Sequence, residues 1–231
     1  ELYEFEGCPY CRLVREARAG VSSGGRRPII LEFQDDSSFI IGLELGATHV
    51  SCVVTDLRAR IRASWSGPAP VRDDPEATME KVRLAVRSAL KAADIDLSRV
   101  LGIGVAVPSP VSTNRPGEML PRIVPKWEGY NIASYLEQTF GRPVFVDNDA
   151  NLGALAELWW GAGREAADLT FIKVATGIGA GLIIDGRIFR GSGGVAGELG
   201  HTSIDADGPR CVCGLNGCLT TFIGTPAVLE R

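Results

Sequence analysis

Gly197-Glu198-Leu199-Gly200-His201, nine intervening residues, and then Cys211-Val212-Cys213-Gly214-Leu215-Asn216-Gly217-Cys218 form the stretch that decides how the chain is read. One imidazole and three thiols supply four soft-to-borderline donors, a complete tetrahedral set for zinc. Gly208, Pro209, Gly214 and Gly217 let the backbone turn tightly enough to gather them. With His201, Cys211, Cys213 and Cys218 all engaged, no coordination position stays open for a reactive water, so the expected zinc is structural. A disulfide or three buried thiols are the alternatives. A Cys-x-Cys pair is poorly spaced to bridge to itself, since disulfide geometry wants Cα atoms about 4.4–6.8 Å apart in a set orientation.

Glu-x-Gly-His followed by Cys-x-Cys-Gly-x-x-Gly-Cys resembles the zinc signature of the ROK family, which contains repressors and sugar kinases. The resemblance runs from about Gly24 to the C-terminus. It implies an α/β, actin-like ATPase (ribonuclease-H-like) fold of two lobes, with a zinc-binding loop beside a sugar pocket. It also implies that Glu198 and His201 touch sugar hydroxyls, His201 offering one ring nitrogen to the metal and the other to the sugar.

Working outward, the bulk properties fit such a protein. A chain of 231 residues, 45% hydrophobic and 23% charged, suits a soluble globular protein of one or two domains. A net charge of −4 argues against a nucleic-acid surface spread over the whole chain. There is no run of about 18 apolar residues and no signal-peptide pattern, so a cytoplasmic location without membrane contact is expected. Six cysteines fit metal and free-thiol use in a reducing compartment better than a disulfide framework.

The phosphotransfer elements lie upstream of the cysteine loop. Pro143-Val144-Phe145-Val146 reads as a strand, then Asp147-Asn148-Asp149-Ala150-Asn151 opens a helix reaching Trp160. A carboxylate at a strand end facing a cleft is a natural general base for a sugar hydroxyl. The family's catalytic aspartate maps onto Asp149 and its sugar-binding asparagine onto Asn148. Any of Asp147, Asn148 or Asp149 could instead serve as the helix N-cap, and capping and sugar contact are compatible. Leu169–Val174 and a strand to Ile184 flank Ala175-Thr176-Gly177-Ile178-Gly179-Ala180-Gly181; a hairpin, not a strand–helix unit, excludes a dinucleotide fingerprint. It resembles the second phosphate loop of actin-like proteins, with Thr176, Gly177 and Gly179 as its contacts.

The first phosphate loop is weaker. Phe39–Leu43 and His49–Val54 read as a hairpin whose turn, with Gly46 and Thr48, would approach nucleotide phosphates. The family's kinases usually read Asp-x-Gly-Gly-Thr-Lys; here Glu44-Leu45-Gly46-Ala47-Thr48-His49 removes room and charge complementarity. That form looks more like a regulator. After Cys218 the family continues with a sugar-binding glutamate, and this chain has Thr220.

Elsewhere the periodicity marks core. Asp74-Pro75 starts a helix carrying Met79, Val82, Val86, Ala89, Leu90 and Ala93 on one face. Val100–Val107 is a buried strand, and Asn131 caps a helix ended by Gly141. At the N-terminus, Cys8-Pro9-Tyr10-Cys11 resembles a glutaredoxin redox motif but has no surrounding fold, and a basic helix-like run follows it to Arg18. Gly24-Gly25-Arg26-Arg27-Pro28 resembles the wing of the winged-helix domain in ROK regulators, where arginines suit phosphate contacts.

The expected organisation is residues 1–31 as an N-terminal remnant, 32–147 as the first lobe, and 148–231 as a second lobe, incomplete, with its C-terminal part missing. The expected function is the sugar-sensing domain of a ROK-type transcriptional regulator that binds a hexose or amino sugar. An ATP-dependent hexose kinase, glucokinase-like, with Asp149 as base is the alternative; a thiol redox module is a weaker third. Zinc is the expected cofactor, with ATP and magnesium only for the kinase. Expected partners are a small sugar and, through an upstream winged-helix domain absent from this chain, DNA; a homo-oligomer is compatible with the sequence.

Overall fold

The computed structural model describes residues 14–19 and 29–230, the first two strands by backbone alone. The Cys8–Cys11 motif and the Gly24–Pro28 turn lie outside the described residues. Strand β1 (Val14–Ala19) pairs antiparallel with β2 (Ile29–Phe33). This corrects the helix-like reading of the basic run. Its Arg, Glu and Ala residues favour a helix only weakly over so short a segment, and cross-strand pairing with β2 overrides that preference.

The main sheet is five-stranded, in the order β5-β4-β3-β6-β7. Strands β3 (Phe39–Leu45), β4 (His49–Asp56) and β5 (Ile61–Pro68) form an antiparallel meander. Helix α1 (Pro75–Ala93) then crosses over so that β6 (Val100–Val107) lies parallel to β3. Helix α2 (Ile132–Phe140) makes the second crossover, and β7 (Val144–Asn148) is parallel to β6. This mixed sheet is the expected actin-like α/β arrangement. Strand β5 was not anticipated: it is an edge strand, mostly exposed and ending in Ser66-Gly67-Pro68, with no strong apolar alternation.

The helix ends follow their local signals. Asp74 accepts from the Ala77 N–H at 2.9 Å, and Pro75 occupies the first turn, where its missing N–H has no helical partner to lose. Asn131 caps α2 by accepting from the Ser134 N–H, and Gly141 closes it at φ +63°. Alternate residues of β3, β4 and β6 pack against α1 and the segment around Trp127, whose indole N–H donates to the Val71 carbonyl. The buried set includes Ile41, Val50, Val82, Val105 and Leu136.

Helix α3 (Asp149–Trp160) covers a second, three-stranded antiparallel sheet of β8 (Leu169–Val174), β9 (Ile178–Ile184) and β10 (Arg187–Ile188). The parallel strands β3, β6 and β7 all finish at one edge of the main sheet, and the β8–β9 turn faces that edge across a cleft of about 580 Å³. Crevices outside the carboxyl ends of parallel strands are the usual ligand sites of open α/β sheets. Two short helices, α4 (Thr220–Ile223) and α5 (Thr225–Leu229), end the described chain. None of the described helices is long and apolar enough to cross a membrane.

Candidate functional site

The β7–α3 junction divides labour among three adjacent side chains. Asp147 is structural: Oδ1 accepts from the Asn148 N–H and Asn151 Nδ2, while Oδ2 takes both Nε (3.1 Å) and a terminal nitrogen (2.5 Å) of Arg190. Asn148 is the N-cap, its Oδ1 accepting from the N–H groups of Ala150 and Asn151. Its side-chain amide nitrogen is therefore the atom left to contact a ligand. Asp149, the first helical residue, lines the cleft and receives Lys173 Nζ on Oδ2 at 2.6 Å.

Strand β9 places the opposite wall. The Ala180 N–H donates to the Gly197 carbonyl at 2.7 Å, and Gly197, at φ +90°, lies so close to Ala180 that a Cβ would collide with its carbonyl oxygen. Gly200 presses in the same way on the Ile178 carbonyl. These two glycines hold the intervening Glu198 and the adjacent His201 against the cleft. Burial, reinforced by the charge of Asp149, pushes the Glu198 carboxyl up to about 7. Burial, with the nearby Arg122 charge, lowers His201 from its ordinary value and favours the neutral imidazole that metals bind.

The two nitrogens of His201 face different partners. Nδ1 lies 3.4 Å from Cys211 Sγ, and Nε2 lies 3.8 Å from Glu198 Oε2. Cys213 and Cys218 bring their sulfurs to 3.6 Å. The four donor atoms of His201, Cys211, Cys213 and Cys218 lie within 4.8 Å of one another, and all three thiols are buried. Donors about 2.0–2.3 Å from a tetrahedral centre are separated by about 3.3–3.8 Å, so the cluster could hold a metal ion with little adjustment. None of the described cysteines is in a disulfide. Burial raises the Cys213 thiol, but the Leu215 N–H, the neighbouring thiols and the Arg122 charge outweigh it and leave the thiol lowered.

The two glycine-bearing turns differ. At the β8–β9 turn, Thr176, Gly177 and Gly179 line the cleft and Gly177 has open space beside its Cα. At the β3–β4 turn, Gly46 and Thr48 also line it, but the His49 ring lies over Gly46, closer than a Cβ could tolerate. The Gly46 N–H is already donated to the His49 carbonyl, and His49 Nε2 lies 3.6 Å from Glu44 Oε2. Thr220 lines the cleft too.

All the residues expected at a sugar or phosphate site thus reach one cleft, with the cysteine cluster at its edge. Sequence reasoning missed Lys173 and Arg122. Lys173 had one signal: it shares a strand face with Leu169 and Phe171, where an inward lysine is out of place. Arg122 had none; its Nε–H donates to the Cys213 carbonyl 91 residues away.

Comparison with known proteins agrees with this architecture. Residues 40–231 match the ROK family. The chain is 35% identical over 217 residues to the xylose repressor of Caldicellulosiruptor bescii, covering 94% of this chain and 54% of that protein. It is 32% identical to the N-acetylglucosamine repressor of Escherichia coli O157:H7, covering 95% and 53% respectively. It therefore spans about half the length of the curated relatives it matches. Among solved structures, a ROK-family glucokinase from Streptomyces griseus with glucose and AMPPNP superposes with a TM-score of 0.75 at 30% identity, covering 84% of this chain and 59% of that one. A ROK-family transcriptional regulator homologous to the E. coli MLC protein gives 0.72 at 28% identity, covering 88% and 51%. With the signature, the sheet order and these relatives in agreement, the chain belongs to the ROK family.

Proposed function

We propose that this chain is the sugar-sensing part of a ROK-type transcriptional regulator and that it takes a hexose, amino sugar or related neutral sugar into the cleft at Asp149. The observation that carries the reading is the pairing of four convergent polar side chains on the sugar side with an obstructed phosphate turn. Asn148, Asp149, Glu198 and His201 line one cleft, while the His49 ring covers Gly46. The Asp149 carboxylate and the Glu198 carboxyl accept from hydroxyls, and the Asn148 amide and His201 Nε2–H donate to them. Thr220 offers a single uncharged hydroxyl, which weakens the grip.

We assign zinc to His201, Cys211, Cys213 and Cys218. When bound, it supplies a rigid cross-link, with no coordination position left for substrate. Because Nδ1 faces Cys211, a bound metal would hold that nitrogen, fix the tautomer of His201 and leave Nε2–H for the sugar side. The residues divide into a first lobe over 32–147 and a second over 148–231, with the cleft between them. In the whole regulator, contact with DNA belongs to a winged-helix domain upstream, and the protein works in the cytoplasm.

The hexose-kinase alternative is favoured by the likeness to the S. griseus glucokinase and by the open Thr176–Gly179 turn. ADP release with MgATP and xylose, glucose or N-acetylglucosamine separates the two. The regulator reading expects none above background. Turnover at about 1–100 s⁻¹, typical of kinases, that Asp149→Asn abolishes would establish the kinase instead.

A further inference from the structure

We propose that Lys173 is a ligand-contacting residue: with Asp149 it forms a donor–acceptor pair that grips one hydroxyl of a neutral sugar, and so determines which sugars the cleft accepts. The inference rests on the sugar-binding reading above and adds to it a residue and a mode of recognition.

The geometry is specific. Lys173 Nζ lies 2.6 Å from Asp149 Oδ2, and both side chains line the cleft beside Glu198 and His201. The Asp149 side chain is 14% exposed and that of Lys173 31%, so the ammonium is partly desolvated yet open to the cavity. Strand β8 sends Leu169, Phe171 and Lys173 to one face; Phe171 packs on Gly153 of α3, which fixes the strand against the helix that Asp149 begins. The lysine is thus held by two elements at the point where a sugar hydroxyl must meet Asp149.

The chemistry follows from valence. An ammonium has three donors and no acceptor; a carboxylate has only acceptors. One N–H of Lys173 goes to Oδ2, leaving two donors beside the free lone pairs of Asp149. A hydroxyl is both donor and acceptor, so one sugar O–H can give its proton to Asp149 and receive one from Lys173. A lone carboxylate would use only the first half of that capacity.

Charge favours a neutral ligand over a phosphorylated one. The pair cancels itself, and Glu44 and Glu230, joined by Glu198 only as it ionises, line the same cleft against Arg72 and Arg210, with His49 and His201 the only other titratable nitrogens there. A dianion would meet as much repulsion as attraction.

The test is a binding cycle by calorimetry. Whichever of xylose, glucose or N-acetylglucosamine binds the wild type is compared with its monodeoxy analogues and its 6-phosphate (5-phosphate for xylose), on wild type and Lys173→Met. Loss of a hydrogen bond to a charged group should cost the parent sugar about tenfold or more in affinity. The analogue lacking the gripped hydroxyl should bind both proteins equally. An equal loss across the parent and all analogues would show that Lys173 acts through the fold, and no loss would show that it makes no contact; either overturns the proposal. Tighter binding of the phosphate, lost in Lys173→Met, would overturn it in favour of an anionic ligand. If no neutral sugar or sugar phosphate binds the wild type, the sugar-sensing reading fails first, which is a distinct result. Should the methionine variant not fold, Lys173→Leu, which likewise has no donor, is read the same way.

Discussion

The Nε–H of Arg122 donates to the backbone carbonyl of Cys213 at 2.8 Å, joining the loop after β6 to the cysteine loop across 91 residues of sequence. Ile123 packs on the same cluster. Because Arg122 is exposed, losing it should disturb little except this tie and the positive charge beside Cys213 and His201. A hydrogen bond from a charged donor is worth about 1.5–3 kcal/mol. Arg122→Ala should therefore release bound metal to a chromogenic chelator about tenfold faster with the melting temperature little changed. An unchanged release rate would show that the loop holds itself.

Metal content is the second expectation. Purified protein should carry one zinc per chain, bound by His201, Cys211, Cys213 and Cys218. Structural zinc in small peptides has an apparent binding energy of about 10–16 kcal/mol at neutral pH, much of it coupled to folding. Cys213→Ala should lose the metal and, through His201, weaken sugar binding. Elemental analysis finding no zinc, together with three freely titrating thiols, would remove this site.

Asp56 predicts an acid limb of stability. It is fully buried at the end of β4; Oδ1 accepts from the N–H groups of Arg58 and Arg60, and Oδ2 from Arg62 at 3.1 Å. Burial raises its carboxyl, but the two N–H groups and the Arg62 and Arg60 charges outweigh it, so the net displacement is downward. A carboxyl lower in the folded than in the unfolded state binds fewer protons when folded between the two values. Its stabilisation is therefore full above the unfolded value near 4 and is lost as pH falls through the folded one. Asp56→Asn should cost about 1–3 kcal/mol in urea unfolding at pH 7 and progressively less below about pH 4. A deficit independent of pH would mean that packing, not charge, explains it.

What could be read from the sequence was local. The candidate metal ligands fall within 18 residues of one another and the run Asp147–Asp149 is contiguous, so short spacing was enough to single them out. Helix α1 announced its start with Asp74-Pro75, and α2 announced both its ends with Asn131 and Gly141. Partnerships between distant elements were hidden: Asp149 with Lys173, Asp147 with Arg190 and Arg122 with Cys213 exist only once β8, the loop after β10 and the loop after β6 converge. Strand β5 escaped because an exposed edge strand needs no apolar face to be held by β4. The obstruction at Gly46 was legible as a substitution, but not that the His49 ring would turn back over the glycine.

The sugar-sensing claim is tested most directly by isothermal titration of xylose, glucose and N-acetylglucosamine into the purified zinc-loaded chain and its Glu198→Ala and Asn148→Ala variants. The account predicts saturable binding of at least one of these sugars at one site per chain. Each substitution should weaken it about tenfold or more, since each removes a hydrogen-bonding group from the cleft wall. Absence of binding by all three sugars, or binding that both variants retain unchanged, would contradict it.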